Sequence, residues 1–175
     1  MDILSHGLYG GVTFGRRSRI NFWLAFFFGI APDLLSFGLF TAGTWVGLVD
    51  HPDWTSGQHP DASQIPLFVH SLYNLTHSLV VFAAIFGLVW LIRKKPLLVM
   101  LGWPLHILVD IPTHSSQFFP TPFLWPVSDF RVDGHPWSSP EIFIPNVILL
   151  ISLYLWFYII KPRRLRKIME ALQKP

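Results

Sequence analysis

The stretch from Ile65 to Ile92, IPLFVHSLYNLTHSLVVFAAIFGLVWLI, contains no Asp, Glu, Lys or Arg. A helix needs roughly 20 mostly apolar residues to cross the hydrocarbon core of a bilayer. This run is long enough, so it predicts a transmembrane helix, and it carries two histidines, His70 and His77. Three further runs flank it. Between Ile20 and Val49 the only charged residue is Asp33; between Pro96 and Ser128 it is Asp110; from Ile142 to Ile160 there is none. The first run is expected to break at Ala31-Pro32, because a proline inside a helix removes a backbone hydrogen bond and crowds the preceding turn. The third is expected to be helical from Leu97 to Ile111, to end at Pro112, and to lead into a loop rich in proline and aromatic residues, Phe118 to Pro140.

Residues 2–15 are a weaker fifth candidate. Gly7, Gly10, Gly11 and Gly15 make a poor helix in water. In a membrane bundle, small residues let helices approach closely, so a short packed helix is expected. The fold class that follows is all-α: a single domain, residues 1–175, forming an integral membrane bundle of four to five transmembrane helices.

Composition agrees. Of the 175 residues, 51% are hydrophobic and 13% charged, against about 25% charged in a typical soluble domain. There are no cysteines, which excludes disulfides and thiolate ligands. At the N-terminus Asp2 and His6 precede Arg16, Arg17 and Arg19. That is the reverse of a cleavable leader, in which basic residues come first, so the segment is expected to stay in the mature protein.

Every lysine and arginine except Arg131 falls in one of three places: Arg16 to Arg19, Arg93 to Lys95, and the tail from Lys161 to Lys174. The acids gather in two other loops, with Asp50, Asp53 and Asp61 in one and Asp129, Asp133 and Glu141 in the other. Lys and Arg near helix ends mark the cytoplasmic side. The expected topology is a multi-pass protein of the cell membrane, with basic loops and the C-terminus cytoplasmic and acidic loops outside. The expected partners are membrane lipid and a lipid or lipid-linked substrate, with no nucleic acid.

An ionisable residue at membrane depth is costly, and is read first as a functional group. His106 and Asp110 are spaced i, i+4, which places them on one helix face. His114 follows four residues later, beyond Pro112, and His70 and His77 are two turns apart. Counted at about 1.5 Å per residue from the nearest basic cluster, His6, Asp33, His77, His106 and Asp110 lie at roughly 15, 21, 24, 16 and 22 Å. Four segments therefore bring a histidine or aspartate near mid-membrane. Two carboxylates there need compensating charge, and nitrogen and oxygen ligands without sulfur suit zinc, or manganese. Asp33, His77, His106 and Asp110 suffice for one ion. His6 with a bridging Asp110 would serve a second, and two adjacent ions favour phosphate-ester chemistry.

Other residues read more plainly. His70 alone is expected to hydrogen-bond a neighbouring helix. His51, His59 and His135 are expected to be solvated, with His135 a weaker candidate for substrate contact. The tryptophans, among them Trp23, Trp45, Trp54 and Trp156, read as interfacial belts and packing.

These residues also carry a resemblance. Ser5-His6-Gly7, Ala31-Pro32-Asp33, Thr76-His77-Ser78, Gly102-Trp103-Pro104-Leu105-His106 with Asp110, Thr113-His114, and Phe119 to Pro126 resemble the YdjM-like family of bacterial membrane-bound metal-dependent hydrolases, over residues 2 to 138. The chain departs from that pattern at Leu72-Tyr73-Asn74, where many members place His-Arg-Gly. The site pattern is more distantly similar to the zinc-dependent phospholipase C and single-strand nuclease group. That similarity implies metal ligation by His6, Asp33, His77, His106 and a bridging Asp110, with His114 as a further ligand, and phosphoester hydrolysis as the activity. The expected function is a metal-dependent hydrolase using metal-activated water, with Asp110 or Asp33 as base. The alternatives are a small transporter or channel for divalent ions or protons, and a structural protein stabilised by a metal. Convergence on one point with an open cavity marks an enzyme; a polar line across the bilayer marks transport.

Overall fold

The computed structural model describes residues 1–52 and 64–162, with Arg166 and Met169. Asp53, Trp54, His59, Asp61 and most of the basic tail lie outside the described residues. Every regular element within them is helical: α1 Ile3–Phe14, α2 Arg19–Asp33, α3 Leu39–Trp45, α4 Leu67–Thr76, α5 Leu79–Arg93, α6 Gly102–Thr113 and α7 Pro140–Leu155. The expected helical bundle is what forms. Two helices are long and apolar enough to cross a membrane, Arg19–Trp45 with 27 residues and Pro140–Ile160 with 21; a bent pair, α4 with α5, is a third if it counts as one span. The apolar helix Leu98–Thr113 is shorter. Length and apolarity alone therefore support two to three of the four to five crossings expected.

The outer surface has the character of a lipid-facing one. Only Phe82 is buried on α5, and only Asn146 and Leu150 on α7. Ile144, Ile148 and Ile151 lie more than half exposed along α7. Apolar surface of this extent is not stable against water. Against lipid it costs nothing, and the helices satisfy their own backbone groups.

Three expectations about helix ends need correction. The chain does not break at Ala31-Pro32: the helix carries Pro32 within it and widens into a π-helical turn over Leu34–Gly38 before α3. The hydroxyls of Ser36 and Thr76 donate to the Pro32 carbonyl at 2.9 and 3.2 Å, so the widened turn leaves that oxygen partnered. Nor does Pro112 end the third helix, since α6 runs to Thr113, after a 3-10 turn at Leu98–Leu101. The run from Ile65 to Ile92 is not one straight helix: α4 and α5 meet at a 60° bend. The cause is Ser78, whose hydroxyl accepts from the backbone N–H of Val80 and of Val81, both at 3.1 Å, and starts α5 afresh. A serine in the N-cap position competes with continued helix in this way.

α1 packs against α2 and α6 at backbone contact. A Cβ on Gly10 would lie 2.4 Å from the Ala25 carbonyl oxygen, and one on Gly29 would lie 2.5 Å from the His6 carbonyl oxygen. Only glycine allows approach this close. The N-terminal segment is thus a bundle helix, as its glycines predict. A buried chain of hydrogen bonds ties it to α7: Tyr9 donates to Asn146 Oδ1 at 2.8 Å, and Asn146 Nδ2 donates to the Ser5 hydroxyl at 2.8 Å.

Candidate metal centre

Four helices place the side chains of the centre. Asp33 is at the end of α2, His77 caps α4 at the bend, and His106 and Asp110 stand one turn apart on α6. His6 comes from α1 and His114 caps α6. The i, i+4 pair on α6 points inward as its spacing predicts. His77 closes α4, its backbone N–H donating to the Tyr73 carbonyl at 2.9 Å, so it keeps the helical register of His70. His70 instead stacks on Phe119, with ring centroids 4.6 Å apart, and takes no part in the cluster. His51 and His135 are exposed.

Asp33, His77, His106 and Asp110 each present one ligand atom, and these atoms lie within 4.8 Å of one another. His106 Nε2 is 3.0 Å from Asp110 Oδ2, 3.8 Å from Asp33 Oδ1 and 3.1 Å from His77 Nε2. His77 Nε2 is 3.4 Å from Asp33 Oδ1 and 3.7 Å from Asp110 Oδ2. Zinc bonds nitrogen and oxygen at about 2.0–2.2 Å, which in a tetrahedron separates neighbouring ligand atoms by about 3.4 Å. The observed separations bracket that value.

The far side of each ring explains why these atoms face each other. His106 Nδ1 is 2.7 Å from the Gly29 carbonyl oxygen, and His77 Nδ1 is 3.1 Å from the Tyr73 carbonyl oxygen. A carbonyl only accepts, so each Nδ1 donates, and in the neutral ring Nε2 is left with a lone pair. Two such lone pairs face each other across 3.1 Å and repel unless a cation lies between them. Anchoring the other ring nitrogen to a carbonyl is also the usual second layer of a histidine metal site. The donor set therefore fits a divalent ion.

The other oxygen of Asp110 has its own neighbours. His6 Nε2 is 2.9 Å from Oδ1 and His114 Nδ1 is 3.3 Å from it. The backbone nitrogen of Met1 contacts the same oxygen. His6 stacks on His106 with centroids 3.7 Å apart. Both ring nitrogens of His6, and Asp110 Oδ2, are buried without a hydrogen-bond partner of acceptable geometry, although His6 Nε2 and Oδ2 each have a close polar neighbour. A hydrogen bond requires the donor to aim at the acceptor, so closeness alone does not satisfy these atoms. Close polar atoms that are buried and not aligned for hydrogen bonds suit a shared cation.

The centre is closed on most sides. His6, His77, His106 and Asp110 are almost wholly buried, while 20% of the Asp33 side chain is exposed. Asp33 and His114 open into a cavity of about 630 Å³, otherwise walled chiefly by apolar groups including Phe37, Trp45, Phe118 and Trp137. The first span lines it from Asp33 to Trp45, the part of that span remote from Arg19, where it begins.

Of the six side chains singled out from the sequence, Asp33, His77, His106 and Asp110 form the cluster, and His6 and His114 lie against the other oxygen of Asp110. Sequence reasoning did not find Tyr73, whose ring stacks on His77 at 3.8 Å and whose carbonyl orients it, nor the Gly29 carbonyl. No side-chain signal marks a backbone acceptor. Asn146 had a signal, being an amide in the otherwise apolar run from Ile142 to Ile160.

No family model, no curated protein and no solved structure matches the chain. The class the fold and site define is a membrane-associated helical bundle with a buried cluster of two histidines and two aspartates able to hold a metal ion.

Proposed function

We propose that the chain is a membrane-bound metal-dependent hydrolase acting on a phosphoester of a lipid or lipid-linked substrate, and that it belongs with the YdjM-like family whose motifs it resembles. The observation that carries this reading is the pair of histidine Nε2 atoms turned toward each other between two aspartates, beside a cavity. Asp33, His77, His106 and Asp110 would hold one ion, zinc in preference to manganese, and His6, His114 and the other Asp110 oxygen would hold a second. The ions supply Lewis acidity and activate water.

The chain's own groups then divide the work. Asp33 is the partly open carboxylate at the cavity, placed to take a proton from the attacking water. Asp110 is sealed, and serves to hold both sides of the centre together. The apolar wall of Phe37, Trp45, Phe118 and Trp137 accommodates the hydrocarbon part of the substrate, and pockets of this size suit a ligand of a few hundred daltons. Among the described residues no Lys or Arg side chain lines this cavity, so the ions would carry the charge that binds phosphate. With the basic clusters cytoplasmic, this cavity lies toward the outer side of the membrane.

A transport pathway is less well supported. The polar groups converge on one point, whereas transport calls for a line across the bilayer, and α5 and the C-terminal half of α7 contribute no charged group to the interior.

The test is elemental analysis of purified protein, wild type beside His106→Ala and Asp110→Ala. One or two equivalents of zinc or manganese in the wild type, lost in both variants, with hydrolysis of a chromogenic phosphodiester or a vesicle-borne phospholipid, is the expected result. A metal-free wild type that stays folded and gains no activity when metal is supplied would leave the cluster as a hydrogen-bonded core.

A further inference from the structure

A second cleft lies at the opposite end of the bundle, remote from the metal centre. Its volume is about 590 Å³, and Arg16, Ser18, Arg19, Trp23, Tyr154 and Tyr158 are among the residues lining it. It forms where the turn between α1 and α2 meets the C-terminal end of the Pro140–Ile160 span. Two contacts fix that meeting. Phe22 and Tyr154 pack edge to face at 6.5 Å, and the Arg16 guanidinium lies 3.8 Å from the centre of the Phe157 ring. Lys161 Nζ lies 5.8 Å from the centre of the same ring.

Two cations, Arg16 and Arg19, thus line an aromatic cleft at the level where two apolar spans end, with Lys161 near the same end of the last span. None of the ion pairs among the described residues involves Arg16, Arg19 or Lys161. The partner shown for Arg16 among the described residues is the Phe157 face, and cation–π contact leaves guanidinium hydrogens to meet an acceptor. The walls below are tyrosine and tryptophan, the residues that suit the boundary between headgroup and hydrocarbon.

We infer that this cleft binds one anionic glycerophospholipid, its phosphate between Arg16 and Arg19 and its chains lying along Trp23, Tyr154 and Tyr158. A basic pocket between transmembrane helices is the setting in which anionic headgroups are held. A lipid there would also tie the α1–α2 turn to the last span, on the helix that carries His6.

The experiment uses the full chain in phosphatidylcholine nanodiscs containing a minority of phosphatidylglycerol, with bound lipid read by native mass spectrometry. One phosphatidylglycerol should be retained in preference to phosphatidylcholine. Arg16→Gln with Arg19→Gln should weaken that retention about tenfold or more. Arg16→Lys with Arg19→Lys should largely restore it, which separates charge from folding. Arg93→Gln with Lys94→Gln, removing charge elsewhere, should leave it unchanged. Equal retention of both lipids would overturn the proposal, as would equal loss in the Arg93/Lys94 control. Displacement of the lipid by millimolar inorganic phosphate would also overturn it, as a free-anion site.

Discussion

The two oxygens of Asp110 face surroundings of different rigidity. On the Oδ2 side, His106 and His77 have their second ring nitrogen held by a backbone carbonyl, from Gly29 and from Tyr73. On the Oδ1 side, neither ring nitrogen of His6 has a hydrogen bond of acceptable geometry, and the ring is positioned by stacking on His106. His114 is at the end of α6, with Nδ1 3.3 Å from both Asp110 Oδ1 and the Asp110 carbonyl oxygen. A pre-oriented ligand loses little freedom when an ion binds, whereas a ring held by stacking alone must still be fixed. The Oδ2 side should therefore be the tight site and the Oδ1 side the weak, adjustable one.

The largest effect should come from the residue both sides share. Asp110→Asn keeps the shape and removes the charge; it should abolish metal on both sides, seen as zero equivalents by elemental analysis. Retention of a full equivalent would break the bridging arrangement.

Gly29→Ala should come next. Its new methyl would meet the His6 carbonyl oxygen at 2.5 Å and force α1 away from α2. Overpacking of this kind costs roughly 1–3 kcal/mol. It should lower the thermal midpoint and reduce metal content, because the same residue supplies the carbonyl that orients His106. A stable, fully loaded Gly29→Ala protein would show that the close helix contact is dispensable.

His6→Ala separates the two sides. The tight ion should remain and a second, weaker one should vanish in a titration followed by calorimetry. If both are lost together, the sides form one site and the comparison fails. His114→Ala should have the smallest effect, weakening the second ion in the same titration and leaving the first in place, because its ring is at the end of α6 and partly exposed.

Part of the centre was legible in advance and part was not, and the reason differs by residue. His106 and Asp110 are on one short helix, so their spacing is enough to predict that they meet. His77 could be assigned to the centre by depth but not by direction. It is the residue that closes α4, and its ring is turned by contact with the Tyr73 carbonyl; the bend that follows it, at Ser78, has only a serine within an apolar run as its signal. His70, two turns earlier on the same helix, stacks on Phe119 and stays outside the cluster. The glycines of the N-terminal segment signalled close packing, but not which carbonyl each would approach. The lipid-binding cleft depends on two chain ends that are distant in sequence, so no local pattern announces it.

The sequence by itself determined the class of structure. Burying an apolar run in lipid depends on its length and composition, which are sums along the chain, and those sums call for a helical membrane bundle with costly polar groups inside. It also determined the donor atoms, since a metal ligand is a matter of residue type. The tertiary structure alone decided which donors share an ion and which way they face. That outcome rests on backbone approaches such as Gly10 to Ala25 and Gly29 to His6, and on the contact of His77 with the Tyr73 carbonyl. Small displacements between elements decide whether ligand atoms lie at coordination distance or not, and no property summed along one segment records the position of another.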